Sequence, residues 1–309
     1  AFIDQTITIT INGTNDLPVI TNDASALAGS LTEAGSLDDG TFVPGTGTAT
    51  GTLSAYDFLE GVKASPTQAG GPSWDYGEYG YSITALSDGS SLITGTFYES
   101  AIFGDTTLTS NGENDIFIAK LNPDGTYAWV RQAGGPFSDY GFSITALSDG
   151  SSLITGSFNE SAIFGNTTLT SVGNDDIFIA KLNPDGSFAW AKQAGGPSWD
   201  YGYSITALSD GSSIITGSYI SAATLGGSTL TSSNTVDNTF IAKLNADGAF
   251  SWAQKAAGTY YTFPNSITAL SDGSSLIIGS FSGTTIFGET SLTSSSYFDA
   301  FLAKLNPDG

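Results

Sequence analysis

The sequence predicts an all-β protein whose main part is a row of four-stranded blades of β-propeller type. Three observations carry that expectation: an internal repeat of about 61 residues, Asp-Gly turns between short β-branched runs, and strands that are apolar on both faces. The decapeptide SITALSDGSS stands at 82–91, 143–152, 204–213 and 266–275, so that Asp88, Asp149, Asp210 and Asp272 fall 61, 61 and 62 residues apart. A second phrase, IAKLNPDG, occupies 118–125 and 179–186, and returns as IAKLNADG at 241–248 and LAKLNPDG at 302–309. A third, QAGGP at 68–72, 132–136 and 193–197, becomes KAAGT at 255–259.

Each unit reads as two hairpins. SITALS and SLITGSF are β-branched runs joined by Asp-Gly, a hairpin signal. DIFIAKLN and FAWAKQA are joined by NPDG, which puts Pro, Asp and Gly where a tight turn needs them. Between the hairpins, stretches such as NESAIFGNTTLTS predict a smaller excursion with its own turn at Phe-Gly. In IFIAKL at 116–121, Ile116 and Ile118 point one way while Phe117, Ala119 and Leu121 point the other. Strands apolar on both faces must be covered on both, as in stacked blades. A solenoid is the alternative, but solenoid repeats are usually shorter. The last unit stops after its third strand, and residues 61–70 occupy the phase of an outer strand, so in a closed propeller they would complete the final blade.

Composition narrows the function. The chain has 309 residues, 30 acidic and 8 basic, for a formal charge of −22. Nucleic acids and anionic membranes are bound through clustered Lys and Arg, so neither is an expected partner. There is no Cys and no His, which removes thiol chemistry, disulfides, and the commonest general base and zinc ligand. No stretch approaches the roughly 18 apolar residues of a membrane span. The sequence opens in mid-phrase and contains no Met, and is read as an internal piece of a longer, secreted polypeptide.

The recurring order of GG, D-Y-G, a strand pair, D-x-F-x-A-K-L-N-P-D-G and an aromatic with Trp resembles the bacterial β-propeller repeats known as SBBP repeats, over nearly all of 67–309. That resemblance implies a propeller in a secreted or surface protein and no defined enzymatic activity. Residues 6–20, TITITINGTNDLPVI, resemble the end of a VCBS repeat, a cadherin-like domain of large bacterial adhesins. LTEAGSLDDG…GTATGTLSAYD at 31–57 resembles the start of the next copy. The expected organisation is therefore an Ig/cadherin-like β segment, with the end of one repeat at 1–18 and a partial repeat at 19–62, followed by blades over 63–309. The N-D-x-P turn resembles the calcium-binding linkers of cadherins, and this likeness implies Ca²⁺ at Asn15 and Asp16 with Glu33 and Asp57. Calcium takes six to eight oxygen ligands, which these residue types supply. The plainer reading is that Asn15 and Asp16 shape the turn before Pro18.

The loops after the GG pairs carry the candidate recognition residues: Trp74, Asp75 and Tyr76; Phe137, Asp139 and Tyr140; Trp199, Asp200 and Tyr201; Tyr260 and Tyr261. Aromatics beside Asp on a rim can stack on sugar rings, or else wedge between blades. Asp115, Asp176 and Asp299, with Asp237 in a shifted phase, are read either as a cation-binding ring or, preferably, as loop caps. Lys120, Lys181, Lys243 and Lys304 recur identically, which suits one Lys per blade, paired with a nearby acid or snorkelling to solvent, better than catalysis, and Trp129, Trp190 and Trp252 suit packing. No catalytic residue is expected, because catalytic groups break internal symmetry and nothing here does. The expected function is a noncatalytic adhesion or structural module on a bacterial cell surface, or secreted. Its expected partners are copies of itself or neighbouring surface-protein domains, and surface glycans. A filament or surface-layer subunit and a glycan-binding propeller are the alternatives. If Asn15, Asp16, Glu33 and Asp57 hold calcium, titrating Ca²⁺ into the metal-free chain raises its melting temperature; an unchanged melting temperature contradicts the assignment.

Overall fold

The computed structural model describes residues 79–232 and 235–309, together with the short segments 35–36, 42–43 and 69–70. The chain divides into Ala1–Ser65 and Pro66–Gly309. In the first unit, Gly35–Ser36 pairs antiparallel with Phe42–Val43. Asn15, Asp16, Glu33 and Asp57 lie outside the described residues.

The second unit contains only β-strands among its described residues, arranged as the repeat dictates. Blade 1 is Tyr79–Ala85, Ser91–Phe103, Thr106–Leu121 and Tyr127–Ala133, each strand antiparallel to the next. Blade 2 repeats it as Tyr140–Ala146, Ser152–Phe164, Thr167–Leu182 and Phe188–Ala194. Blade 3 is Asp200–Ala207, Ser213–Tyr219, Asn238–Leu244 and Phe250–Gly258. Blade 4 has three strands, Thr262–Ala269, Ser275–Phe281 and Asp299–Leu305. The expected excursion is the far end of the second and third strands in blades 1 and 2. It separates into its own hairpin in blade 3 (Ala222–Leu225 with Ser228–Thr231) and blade 4 (Thr284–Phe287 with Thr290–Thr293).

The repeated decapeptide is a structural part in which most positions are occupied by a contact. Its first Ser reaches the next blade: the Ile144, Ile205 and Ile267 N–H groups donate to the hydroxyls of Ser82, Ser143 and Ser204 at 3.2, 3.1 and 3.1 Å. Its Asp closes the turn. Asp88 Oδ1 accepts from the Ser90 N–H at 2.9 Å and from the Ser90 hydroxyl, and Oδ2 accepts from Lys120 at 3.2 Å. These bonds, those from Ser90 before that from Lys120, hold the Asp88 carboxyl down at about 2. Lys181, Lys243 and Lys304 make the same ion pair with Asp149, Asp210 and Asp272.

Successive blades pack face to face. Leu92, Ile116 and Ile118 of blade 1 form one core with Ile144, Ile154, Phe158 and Phe178 of blade 2, and equivalent cores bury the next two junctions. Each such side chain taken from water contributes roughly 1.5–3 kcal/mol. At the periphery an outer-strand Trp lies on the following blade's turn: Trp129 donates to the Pro184 carbonyl at 3.2 Å with its ring against Gly186, and Trp190 packs against Gly248.

Residues 61–70 do not close the last blade where they are described. Ala69–Gly70 pairs with Phe103 and Ile102 of blade 1, in the register by which Gly134 bridges Ile163 and Gly195 bridges Thr224. The GG strand end of one unit thus belongs with the excursion of the next. No described strand pairs with the free edge of Asp299–Leu305, and no strand of blade 4 pairs with blade 1.

The inner strand is drawn tightly onto its neighbour at a glycine. A β-carbon at Gly156 would lie 1.7 Å from the Tyr140 carbonyl oxygen and 2.8 Å from the Phe178 ring, whereas one at Gly80 would meet nothing within 4 Å. Gly156→Ala is expected to cost about 1–3 kcal/mol in urea denaturation, and Gly80→Ala at most about 0.5 kcal/mol; equal effects would contradict the packing.

Candidate binding groove

A Gly-aromatic step precedes each of the first three decapeptides: Gly80-Tyr81, Gly141-Phe142 and Gly202-Tyr203, with Pro264-Asn265 in the fourth. In every blade the ladder skips at this residue, pairing Gly80, Gly141, Gly202 and Pro264 and then resuming at Ser82, Ser143, Ser204 and Ser266. Tyr81, Phe142, Tyr203 and Asn265 are thus the unpaired residues of four equivalent β-bulges, a device that re-aims a side chain. Because the inner strands of successive blades are neighbours, the four bulges gather. Tyr81, Phe142, Tyr203, Phe263, Pro264 and Asn265 line a groove of about 360 Å³.

Two aromatic rows result. Along the inner row, Tyr81 meets Phe142 edge-on at 5.3 Å between centroids, and Phe142 meets Tyr203 at 5.6 Å. Across the rows, Tyr140 lies parallel to Phe142 (2° between planes) and Tyr201 to Tyr203 (14°). Tyr261 lies parallel to Phe263 (12°). Centroid separations of this size suit aromatic pairs. Burial pushes the Tyr81 and Tyr203 phenols above their ordinary value, so both stay neutral hydrogen-bonding groups.

The groove has no basic lining. Among the described residues, four Lys are held at the Asp-Gly turns. The remaining cations reach peripheral carbonyls: Arg131 to Asp185, Lys192 to Asp247 and Lys255 to Thr231. The nearest charges are acidic, since Asp237 raises Tyr203 and Asp175 raises Tyr201 after burial itself. An uncharged ligand with flat apolar faces and hydroxyls fits this surface; an anion does not.

The sequence-predicted rim residues divide. Trp74, Asp75 and Tyr76 lie outside the described residues. Tyr79 pairs with Thr96 in the register by which Tyr140 pairs with Ser157, so Tyr79 takes the place of Tyr140 in the first unit. Tyr140, Tyr201 and Tyr261 stand beside the groove through their parallel partners. Phe137, Trp199 and Tyr260 are exposed and line no part of it. Asp139 and Asp200, expected on the rim, are instead fully buried between blades, because the GG segment folds over them and its Gly135 and Gly196 N–H groups donate to their carboxylates at 2.7 Å. The register of Asp115 and Asp176 is taken in blade 3 by Asn238, opposite Tyr219, with Asp237 one residue earlier. Tyr79, Tyr81, Phe142, Tyr203 and Phe263 were not singled out by sequence reasoning; the aromatic-Gly-aromatic step returning with the decapeptide is the signal that would have found the first four.

Residues 86–126 match the family model described as a domain of unknown function (DUF5122) β-propeller. The match and the repeated four-stranded sheets agree on all-β, propeller-type blades. An uncharacterized WD repeat-containing protein of Acanthamoeba polyphaga mimivirus is 27% identical over 180 residues, covering 50% of this chain and 12% of that protein. The chain thus spans about an eighth of that relative. Among solved structures, the Pan2 WD40 domain of Neurospora crassa aligns over 67% of this chain and 74% of that one, at 11% identity and a TM-score of 0.27.

Proposed function

We propose that this chain is a noncatalytic adhesion module of an extracellular, bacterial surface-type protein, and that its groove takes an uncharged glycan chain. The observation that carries the reading is the aromatic groove built from equivalent bulges of all four blades, with acidic and no basic surroundings. Parallel aromatics beside phenol hydroxyls stack on sugar rings and hydrogen-bond their edges. The likeness of the repeats to SBBP units and of residues 6–20 to a VCBS repeat supports surface location and, at Asn15, Asp16, Glu33 and Asp57, calcium. Symmetry supports the noncatalytic part, since the repeated carboxylates and lysines are engaged in turns and junctions. Among the described residues no helix is long and apolar enough to cross a membrane. Tyrosine fluorescence and heteronuclear NMR of the chain titrated with neutral oligosaccharides test the site. Shifts confined to Tyr81, Phe142, Tyr203 and Asn265, lost in Phe142→Ala with the fold intact, are expected; binding that survives Phe142→Ala contradicts it.

Self-assembly is favoured by a separate observation. Ile83 is 70% exposed in blade 1 and Leu302 68% exposed in blade 4, although their equivalents Ile144, Ile205 and Ile267, and Ile118, Ile179 and Ile241, are all buried at junctions. The Lys304 side chain is 51% exposed where Lys120, Lys181 and Lys243 are 18–19%. The leading face of blade 1 and the trailing face of blade 4 are the two halves of the junction formed three times within the chain. A further blade laid on either face would re-form it, whether from the same longer polypeptide or from a second copy, the latter as a heterologous interface. Sedimentation velocity should show association growing with concentration and abolished by Leu302→Glu; a strictly monomeric chain at high concentration contradicts this assembly.

A further inference from the structure

Away from the groove, one group of titratable side chains recurs that the binding reading does not use. Between blades 1 and 2, Asp115 and Asp139 are both fully buried. Asp115 Oδ2 accepts from the Asn111 N–H (3.0 Å), the Asn111 amide (3.1 Å) and the Gln132 amide (2.6 Å), while Oδ1 has no partner. Asp139 Oδ2 accepts from the Gly135 N–H at 2.7 Å and Oδ1 from the Asn159 N–H at 3.2 Å. The two carboxylates converge on Gly134, whose φ is +147°; a β-carbon there would lie 2.4 Å from Asp115 Oδ1 and 3.0 Å from Asp139 Oδ2.

The next junction repeats this with Asp176, Asp200 and Gly195. A β-carbon on Gly195 would lie 2.6 Å from Asp176 Oδ1 and 3.1 Å from Asp200 Oδ2, and Asp176 Oδ1 has no partner. The third junction changes four parts at once. By register, Asn238 replaces Asp176, Thr262 replaces Asp200, Ala257 replaces Gly195 and Lys255 replaces Gln193. There the Asn238 amide donates to the Val236 carbonyl at 2.7 Å, and the Thr262 and Thr285 hydroxyls bond at 2.8 Å. Only where both carboxylates are gone does the sequence replace this glycine.

The charges facing these pairs are all acidic or phenolic. Asp139 faces Asp115 and Asp175; Asp176 faces Asp175; Asp200 faces Asp176, Asp237 and the Tyr219 phenol. The Lys and Arg side chains of the described residues are engaged at turns and peripheral carbonyls, as above. Two buried carboxylates cannot both stay ionised beside each other without a counter-charge. Calcium would need six to eight oxygens, and among the described residues no group of three or more acidic side chains is placed to hold a metal ion. A proton needs no further ligand.

We propose that the first two blade junctions are proton-binding sites, in which the pair Asp115 and Asp139, and the pair Asp176 and Asp200, each hold one proton at neutral pH. Burial first, then the neighbouring carboxylates, pushes Asp139 and Asp200 up to about 8; burial likewise raises Asp176 to about 6 and lifts Asp115. Each pair titrates as a unit. The folded pKa lies above the unfolded carboxyl value near 4, so the folded chain binds more protons between about pH 4 and 8. Stability therefore falls as pH rises through that window and levels off above it. Melting temperatures of the full chain in chelator should drop by several degrees from pH 5 to pH 8. In the Asp139→Asn/Asp200→Asn variant the slope should flatten, with a higher melting temperature at pH 8. A flat wild-type profile, a variant that keeps the full slope, or a slope that added Ca²⁺ removes from the wild type alone would each overturn the proposal, the last in favour of a metal site. Carboxyl carbon NMR of the wild-type chain needs no variant: apparent pKa values above 6 for junction aspartates are expected, and titration of every aspartate below pH 5 would overturn it.

Discussion

The rest of the fold depends on the junction between neighbouring blades. A four-stranded antiparallel sheet with apolar residues on both faces is not stable in water by itself, and only a second sheet laid against it removes that surface from solvent. The chain meets this constraint by repeating one contact: Leu92, Ile116 and Ile118 against Ile144, Ile154 and Phe158, then the same set one unit on. Polar groups are fitted around that core. The serine opening each of the first three decapeptides accepts the isoleucine N–H of the next blade, the outer tryptophan lies on the next turn, and the GG segment closes over the aspartates.

The same constraint makes the groove and the proton sites. Holding the inner strands side by side brings four bulges together, so an aromatic that would be an isolated surface residue in one blade becomes part of a lined channel. Laying the GG segment against the next blade buries carboxylates that a single blade would leave in water. Both features are properties of the array, which is why they break down where a repeat departs from the pattern. Asn265 interrupts the aromatic row, and Asn238 with Thr262 interrupts the carboxyl pairs.

Much of this was legible in the sequence. The period, the Asp-Gly and NPDG turns and both-face apolarity gave the strand order, and identical recurrence of Lys120 and its equivalents pointed to one structural Lys per blade, leaving open whether it pairs with an acid or snorkels to solvent. The buried aspartates were not legible, because Asp-Tyr-Gly has the composition of an exposed turn and the glycines that cover it come from a different part of the unit. The inner aromatic row was hidden by the bulge, which a pattern of alternating faces does not reveal. Of the joint change at this junction, Gln193 to Lys255 and Gly195 to Ala257 were present in the sequence as the decay of QAGGP to KAAGT, and Asp200 to Thr262 as the loss of Asp-Tyr-Gly in YYTFPN. It was readable only as a comparison between copies within the chain.

Native-state hydrogen exchange at the Ile144, Ile205 and Ile267 amides tests most directly whether the junction holds the molecule together. These N–H groups sit at the bulge and donate across the junction to Ser82, Ser143 and Ser204. If the blades are locked face to face, they exchange only with unfolding of the blade array, as slowly as the amides of the central strands. Exchange at the rate of an exposed edge, while those central-strand amides remain protected, would mean that the blades are separate sheets on a string.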